Sequence, residues 1–135
     1  MQLLSFYPVL ETGDVVNTAK FYTDKFGFEM TFETEWYVSL RSKSNPAFEL
    51  AVVSRDHPSV PPGFRKSVQG LILNFEVEDV DAEYDRLTSI SLDLVSEIKT
   101  ETWGQRHFIV QDPNGILVDV IQVTEPSAEY QENYA

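Results

Sequence analysis

His57 and His107 are the only imidazoles in the chain, and there is no cysteine. Thiolate zinc sites, iron–sulfur clusters, disulfides and cysteine nucleophiles are therefore excluded, and a three-histidine metal site cannot be built within one chain. No Gly-x-Ser-x-Gly elbow supports a Ser-His-Asp triad, and no glycine-rich loop is present to cradle a phosphate. His107 stands in QRHFIV beside Arg106. Strand alternation lets only one of the two face a given side, and a partly exposed strand histidine is favoured over a catalytic one. His57 falls in a proline-rich stretch and is expected at the surface. Trp36 and Trp103 each open a strand-like segment. Either can offer a planar surface to an aromatic or cationic ligand, or pack into a core or dimer interface.

The charge balance narrows the partners. Ten Lys and Arg stand against 22 Asp and Glu, for a net charge of −12. Phosphate contacts need a basic face, so nucleic acid is not an expected partner, and anionic membranes are disfavoured. Cationic or neutral ligands are favoured. The N-terminal MQLLSFYPVL lacks the basic region of a signal peptide, and no apolar run approaches the ~20 residues of a membrane-spanning helix. A cytoplasmic location is expected. With 135 residues the chain can bury a core without metal or disulfide.

The elements that must position these groups form a repeat. Residues 3–10 read as a strand. Asp14 caps a helix whose Val15, Ala19, Tyr22 and Phe26 recur at i, i+4, i+7 and i+11, and Gly27 closes it. Three β-rich segments follow, at about 28–34, 36–42 and 47–54. The second half replays this order: a strand at 70–77, a helix capped by Asp79 with Val80, Tyr84 and Leu87 on one face, then strands at about 93–99, 105–111 and 116–123. The turn Asp112-Pro113-Asn114-Gly115 separates the last two. The expected organisation is therefore a βαβββ module over 1–54, a connector over 55–69, a second module over 70–123 and an acidic tail over 124–135, making one compact domain overall. Tyr130 and Tyr134 can dock the tail on a surface. The fold class predicted is α+β, two βαβββ repeats forming a half-open curved mixed sheet around a cleft.

In the order and spacing of its motifs the sequence resembles the glyoxalase / bleomycin-resistance / extradiol dioxygenase (vicinal oxygen chelate) superfamily. The stretches that carry the resemblance are PVLETGDVVNTAKFYTDKFGFEM, NFEVEDVDAEYDRL and WGQRHFIVQDPNGILVDVIQ. It extends to about residue 123. Metal-dependent members of that family are expected to place four ligands on the first and last strands of each half. Carried over residue by residue, these positions fall at Tyr7, Glu49, Ile72 (or, one residue earlier, Leu71) and Asp119. The internal repeat agrees: Tyr7 and Ile72 each precede a helix cap by seven residues, and Glu49 and Asp119 each follow a turn asparagine.

This donor set departs from the metal pattern. Isoleucine and leucine cannot bind a metal, and a tyrosine is a poor ligand unless deprotonated, with a free phenol near pH 10. Glu49 and Asp119 remain, enough at most for weak magnesium contact. No cofactor, metal or catalytic residue is therefore expected. The resemblance is closest to the metal-free bleomycin-resistance branch and implies sequestration of a cationic or aromatic small molecule by a homodimer. Tyr7, Trp36, Glu49, Ile72, Asn74, Trp103 and Asp119 are the expected ligand contacts. Alternation adds Ser5, Val9, Ala51, Val53 and Ile121 to the cleft face, and assigns Phe6, Leu10, Phe48, Leu50, Leu73, Phe75, Val118 and Val120 to the helix face. Two alternatives stay open: a metal-dependent lyase, isomerase or dioxygenase, and an interaction module whose cleft is filled by protein.

Overall fold

The computed structural model describes all 135 residues. The chain forms two compact units, Met1–Gln69 and Gly70–Ala135. The first contains β1 (Val9–Thr12), α1 (Val15–Phe26), β2 (Phe28–Glu33), β3 (Tyr37–Ser42) and β4 (Glu49–Ser54). The second contains β5 (Ile72–Glu76), α2 (Val80–Thr88), β6 (Leu94–Glu101), β7 (Gln105–Gln111) and β8 (Leu117–Val123), followed by a short α3 (Ala128–Gln131). Each unit is a βαβββ module with a four-stranded mixed sheet, in the orders β1-β4-β3-β2 and β5-β8-β7-β6. The first strand pairs parallel with the last, and the other pairs are antiparallel. The predicted α+β fold of two βαβββ repeats is the fold observed. No helix is long and apolar enough to cross a membrane.

In the first unit, Asp14 caps α1 by accepting the Asn17 amide at 3.0 Å. Gly27 ends the helix at φ 70°, a left-handed conformation that glycine adopts without steric cost. Val15, Ala19 and Tyr22 cover the sheet face built by Leu10, Val38, Leu40, Leu50 and Val52, and none of these exceeds 6% exposure. In the second unit, Asp79 caps α2 through the Ala82 amide at 3.1 Å. Val80 and Leu87 are buried, and Tyr84 meets Phe108 edge-on with ring centroids 5.1 Å apart. Arg106 Nε and Nη2 donate to the two carboxylate oxygens of Asp81 at 3.0 and 2.8 Å, tying the first turn of α2 to β7. Arg106 is thereby on the helix side, and its neighbour His107 is turned to the opposite, open face of the sheet.

The N-terminal strand departs from expectation. The ladder starts at Val9, not near residue 3, and upstream of it only the Pro8 carbonyl reaches β4, accepting the Ala51 amide at 3.0 Å. Proline has no amide hydrogen with which to carry the ladder further. Two residues assigned to the helix-covered face are consequently exposed. Phe6 is 77% and Phe48 62% exposed, because both lie outside the paired part of β1 and β4. Residues 55–69 contain no helix or strand.

Candidate functional site

The open face of the first sheet is the face away from α1. Alternation along β1, β3 and β4 presents Val9, Glu11, Tyr37, Ser39, Ala51 and Val53 there, and the register pairs Val9 with Ala51 and Tyr37 with Val53. The segment after β4 folds back over this face. Two contacts tie it to the rest of the unit: the ring of His57 stacks on Trp36 at 3.6 Å and 5°, and the Lys66 amide donates to Glu11 Oε1 at 3.3 Å; within the segment, Arg65 Nε donates to the Val60 carbonyl at 2.8 Å and Arg55 Nη1 to Ser67 Oγ at 2.6 Å. Between sheet and segment lies a groove of about 480 Å³. Val9, Val53, Val60, Pro61 and Phe64 make it apolar, and Glu11, Tyr37 and Ser59 supply its polar groups. Burial and then the adjacent Tyr7 phenol hold the Tyr37 hydroxyl above the usual phenol range, partly offset by a hydrogen bond with Ser39. The group thus stays a protonated donor at neutral pH.

The expected contacts of the first unit stand around this groove without lining it. Tyr7 is 41% exposed and neighbours Tyr37. Trp36 gives one ring face to His57, so that face is spent on packing. Glu49 opens β4, four residues before the groove-lining Val53, which is about 13 Å by strand rise. Sequence reasoning read residues 55–69 only as a connector and missed their role as the groove's roof. The signal was the apolar Val60 and Phe64 inside a proline-rich polar stretch.

In the second unit the open face carries Asn74, Trp103 and Asp119 together with His107. Asn74 pairs with Asp119 across β5 and β8, and is exposed. Ile72 opens β5 and is 54% exposed, with no donor to offer. Asp119 is buried and its Oδ1 lies 2.7 Å from His107 Nδ1. His107 is buried as well, where a partly exposed histidine was expected. The β7–β8 register explains the pair: His107 sits opposite Ile121, two residues beyond Asp119 on the same face. Glu101 Oε1 lies 3.5 Å from His107 Nε2 and 3.2 Å from Lys99 Nζ. Trp103, in the β6–β7 turn, donates from Nε1 to Gln105 Oε1 at 2.9 Å and stands edge-on to His107, with centroids 6.4 Å apart.

The tail fixes that turn. The Ser127 amide donates to the Thr102 carbonyl at 2.8 Å, the Thr124 amide to the Gly104 carbonyl at 2.9 Å, and the Tyr134 hydroxyl to the Trp103 carbonyl. Gly104 has φ 104°, and a Cβ there would stand 2.9 Å from the Tyr134 hydroxyl oxygen. Glycine is required on both counts.

Nowhere do three or more His, Cys, Asp or Glu side chains group so as to hold a metal ion. Ile72 has no ligating atom, and one oxygen of Asp119 is engaged by His107. These residues do not fit the metal centre that the resemblance implies.

Two βαβββ units, each with one sheet face away from its helix, define the class. The chain belongs to the Glyoxalase/Bleomycin resistance protein/Dioxygenase superfamily, whose family model matches residues 7–120. It is 27% identical over 128 residues to the bleomycin resistance protein of Geobacillus stearothermophilus, covering 89% of this chain and 97% of that protein. The bleomycin resistance protein of Staphylococcus aureus matches to the same extent, 27% over 128 residues. Among solved structures, a glyoxalase/bleomycin resistance protein/dioxygenase from Nocardioides superposes with a TM-score of 0.76 at 18% identity, covering 93% of this chain and 86% of that one. TioX from Micromonospora sp. ML1 gives a TM-score of 0.67 at 20% identity, covering 88% and 98%. These superpositions speak to the fold.

Proposed function

We propose that the protein binds and sequesters a small molecule, with the groove on the open face of the first sheet as the main apolar contact. The observation that carries this reading is the groove itself. At about 480 Å³ it is within the size range of small-molecule pockets, and it has their composition, an apolar lining with a few convergent polar groups. Affinity comes from burying the exposed apolar surface of Val9 and Phe64, at roughly 25 cal/mol per Å². Orientation comes from Glu11, the Tyr37 hydroxyl and Ser59, with Tyr7 beside Tyr37. The ligand is cationic or aromatic, in keeping with the net charge of −12 and with relatives named bleomycin resistance proteins. The protein acts in the cytoplasm as a homodimer. An exposed apolar arm, with Leu4 at 96% and Phe6 at 77% exposure, supports self-association.

Calorimetric titration with bleomycin and a panel of aromatic amines tests the reading. Val9 is 44% exposed at the groove, so Val9→Trp fills the groove without disturbing the core. Saturable binding weakened at least about tenfold in Val9→Trp is expected, because one bulky side chain displaces most of the apolar contact. Absence of binding across the panel with folded protein, or binding untouched by Val9→Trp, refutes it.

A further inference from the structure

The second unit holds a buried imidazole with one nitrogen unsatisfied. His107 Nδ1 faces an Asp119 oxygen at 2.7 Å. An ionised carboxylate only accepts, so Nδ1 carries the proton and donates it, which fixes the tautomer. Nε2 of the neutral ring is then a lone pair. It is buried and has no hydrogen-bond partner, and the side chain as a whole is 9% exposed. A buried polar atom left in this state calls for an explanation such as a ligand.

The Glu101 carboxylate lies 3.5 Å from Nε2. With the ring neutral, two acceptors face one another, and neither can satisfy the other. A single nitrogen bearing two or more N–H bonds and a positive charge satisfies both. The site already shows a preference for such a group, because the Lys99 ammonium lies 3.2 Å from the same Glu101 oxygen. Trp103 adds an aromatic wall beside the imidazole, suited to a cation. The Glu101 side chain is 14% exposed and is the outer wall of the site. It lies on β6, the edge strand of its sheet, and its ammonium partner Lys99 is 60% exposed and free to swing away.

We propose that the open face of the second sheet carries a subsite for a primary ammonium or amidinium group, in which His107 Nε2 and the Glu101 carboxylate each accept a hydrogen bond from the ligand's cationic end. Asp119 acts as the positioning residue that keeps the Nε2 lone pair aimed at the ligand. Lys99 is an internal competitor that the ligand displaces. The charged groups facing the imidazole are Asp119 from β8 and Glu101 and Lys99 from β6. The subsite uses none of the groove residues of the first unit, so it stands or falls independently of the function proposed above.

Histidine 15N-labelled full-length protein titrated with benzylamine and benzamidine provides the test, with benzyl alcohol and benzoate as controls. At about pH 8, where a free imidazole is neutral, the ring nitrogens should report the Nδ1–H tautomer, and both amine probes should shift Nε2 saturably. The controls should not. Glu101→Gln should weaken benzylamine at least about tenfold, the loss of one hydrogen bond to a charged acceptor. Lys99→Ala should tighten it by about threefold, since an exposed ion pair is weak competition. Glu29→Gln, on the surface of the first unit, should change nothing. A free protein whose Nε2 is already protonated at that pH, a silent Nε2 resonance on titration, or equal affinity in wild type and Glu101→Gln would each overturn the proposal. Lys99→Ala leaves the buried pair intact, so it keeps the proposal open to refutation even if Glu101→Gln folds poorly.

Discussion

Tyr37 shows how a single residue takes its properties from its surroundings. The residue lines the groove, its hydroxyl interacts with Tyr7, and burial followed by that neighbour raises its ionisation above the free phenol near pH 10. A group whose folded value is raised contributes stability that is fully present below the unfolded value and lost as pH climbs through the folded one. The protein should therefore lose stability above about pH 10, and Tyr37→Phe should flatten that loss. Urea denaturation between about pH 9 and 11 checks this. An identical alkaline slope in the variant would show that Tyr37 ionises like a free phenol. His107 makes the same point from the other direction. Its neighbours in the sequence suggested an ordinary strand histidine, whereas the β7–β8 register brings Asp119 to it and buries both.

At the scale of the element, the DPNG turn between β7 and β8 sets the register that brings His107 to Asp119. Asp112 is 4% exposed, and its Oδ1 accepts the amides of Asn114 at 2.7 Å and Ile116 at 2.9 Å. Its own amide donates to the Ile116 carbonyl at 2.8 Å, and Gly115 turns at φ 86°. Asp112→Ala leaves two amides without their acceptor and should cost about 2–3 kcal/mol, as expected for bonds to a buried carboxylate. Because the turn fixes the pairing, the His107 ring signals should broaden or shift in the same variant. Urea unfolding measures the first effect and imidazole NMR the second. A cost under about 0.5 kcal/mol would mean that the flanking strands hold the register by themselves. The helix caps Asp14 and Asp79 and the left-handed Gly27 were legible beforehand because their chemistry is local. The roof over the groove was not, because residues 55–69 form no periodic element and their contacts with Trp36 and Glu11 are tertiary.

At the scale of the whole molecule, the exposed apolar arm is where the proposed homodimer is tested. The wild type should sediment as a dimer at micromolar concentration. Leu4→Glu combined with Phe6→Glu should shift it to monomer, since both side chains are largely exposed in the single chain and charges there oppose apolar burial. Sedimentation unchanged by the pair would place any dimer contact elsewhere. The sequence by itself determined the two βαβββ repeats, nearly every element boundary and the caps. From it also comes the expectation that Ile72 offers no donor at a metal position the resemblance implies. These features rest on periodicity, on turn chemistry and on which atoms a side chain carries, all of which can be read locally. Only the tertiary structure decided that Phe6 and Phe48 are exposed, that the connector roofs a groove lined by none of Tyr7, Trp36 or Glu49, and that His107 is locked to Asp119 beneath Glu101. Each of these depends on strand register or on a loop folding back across a sheet, where residues far apart in the chain meet and local pattern carries no information.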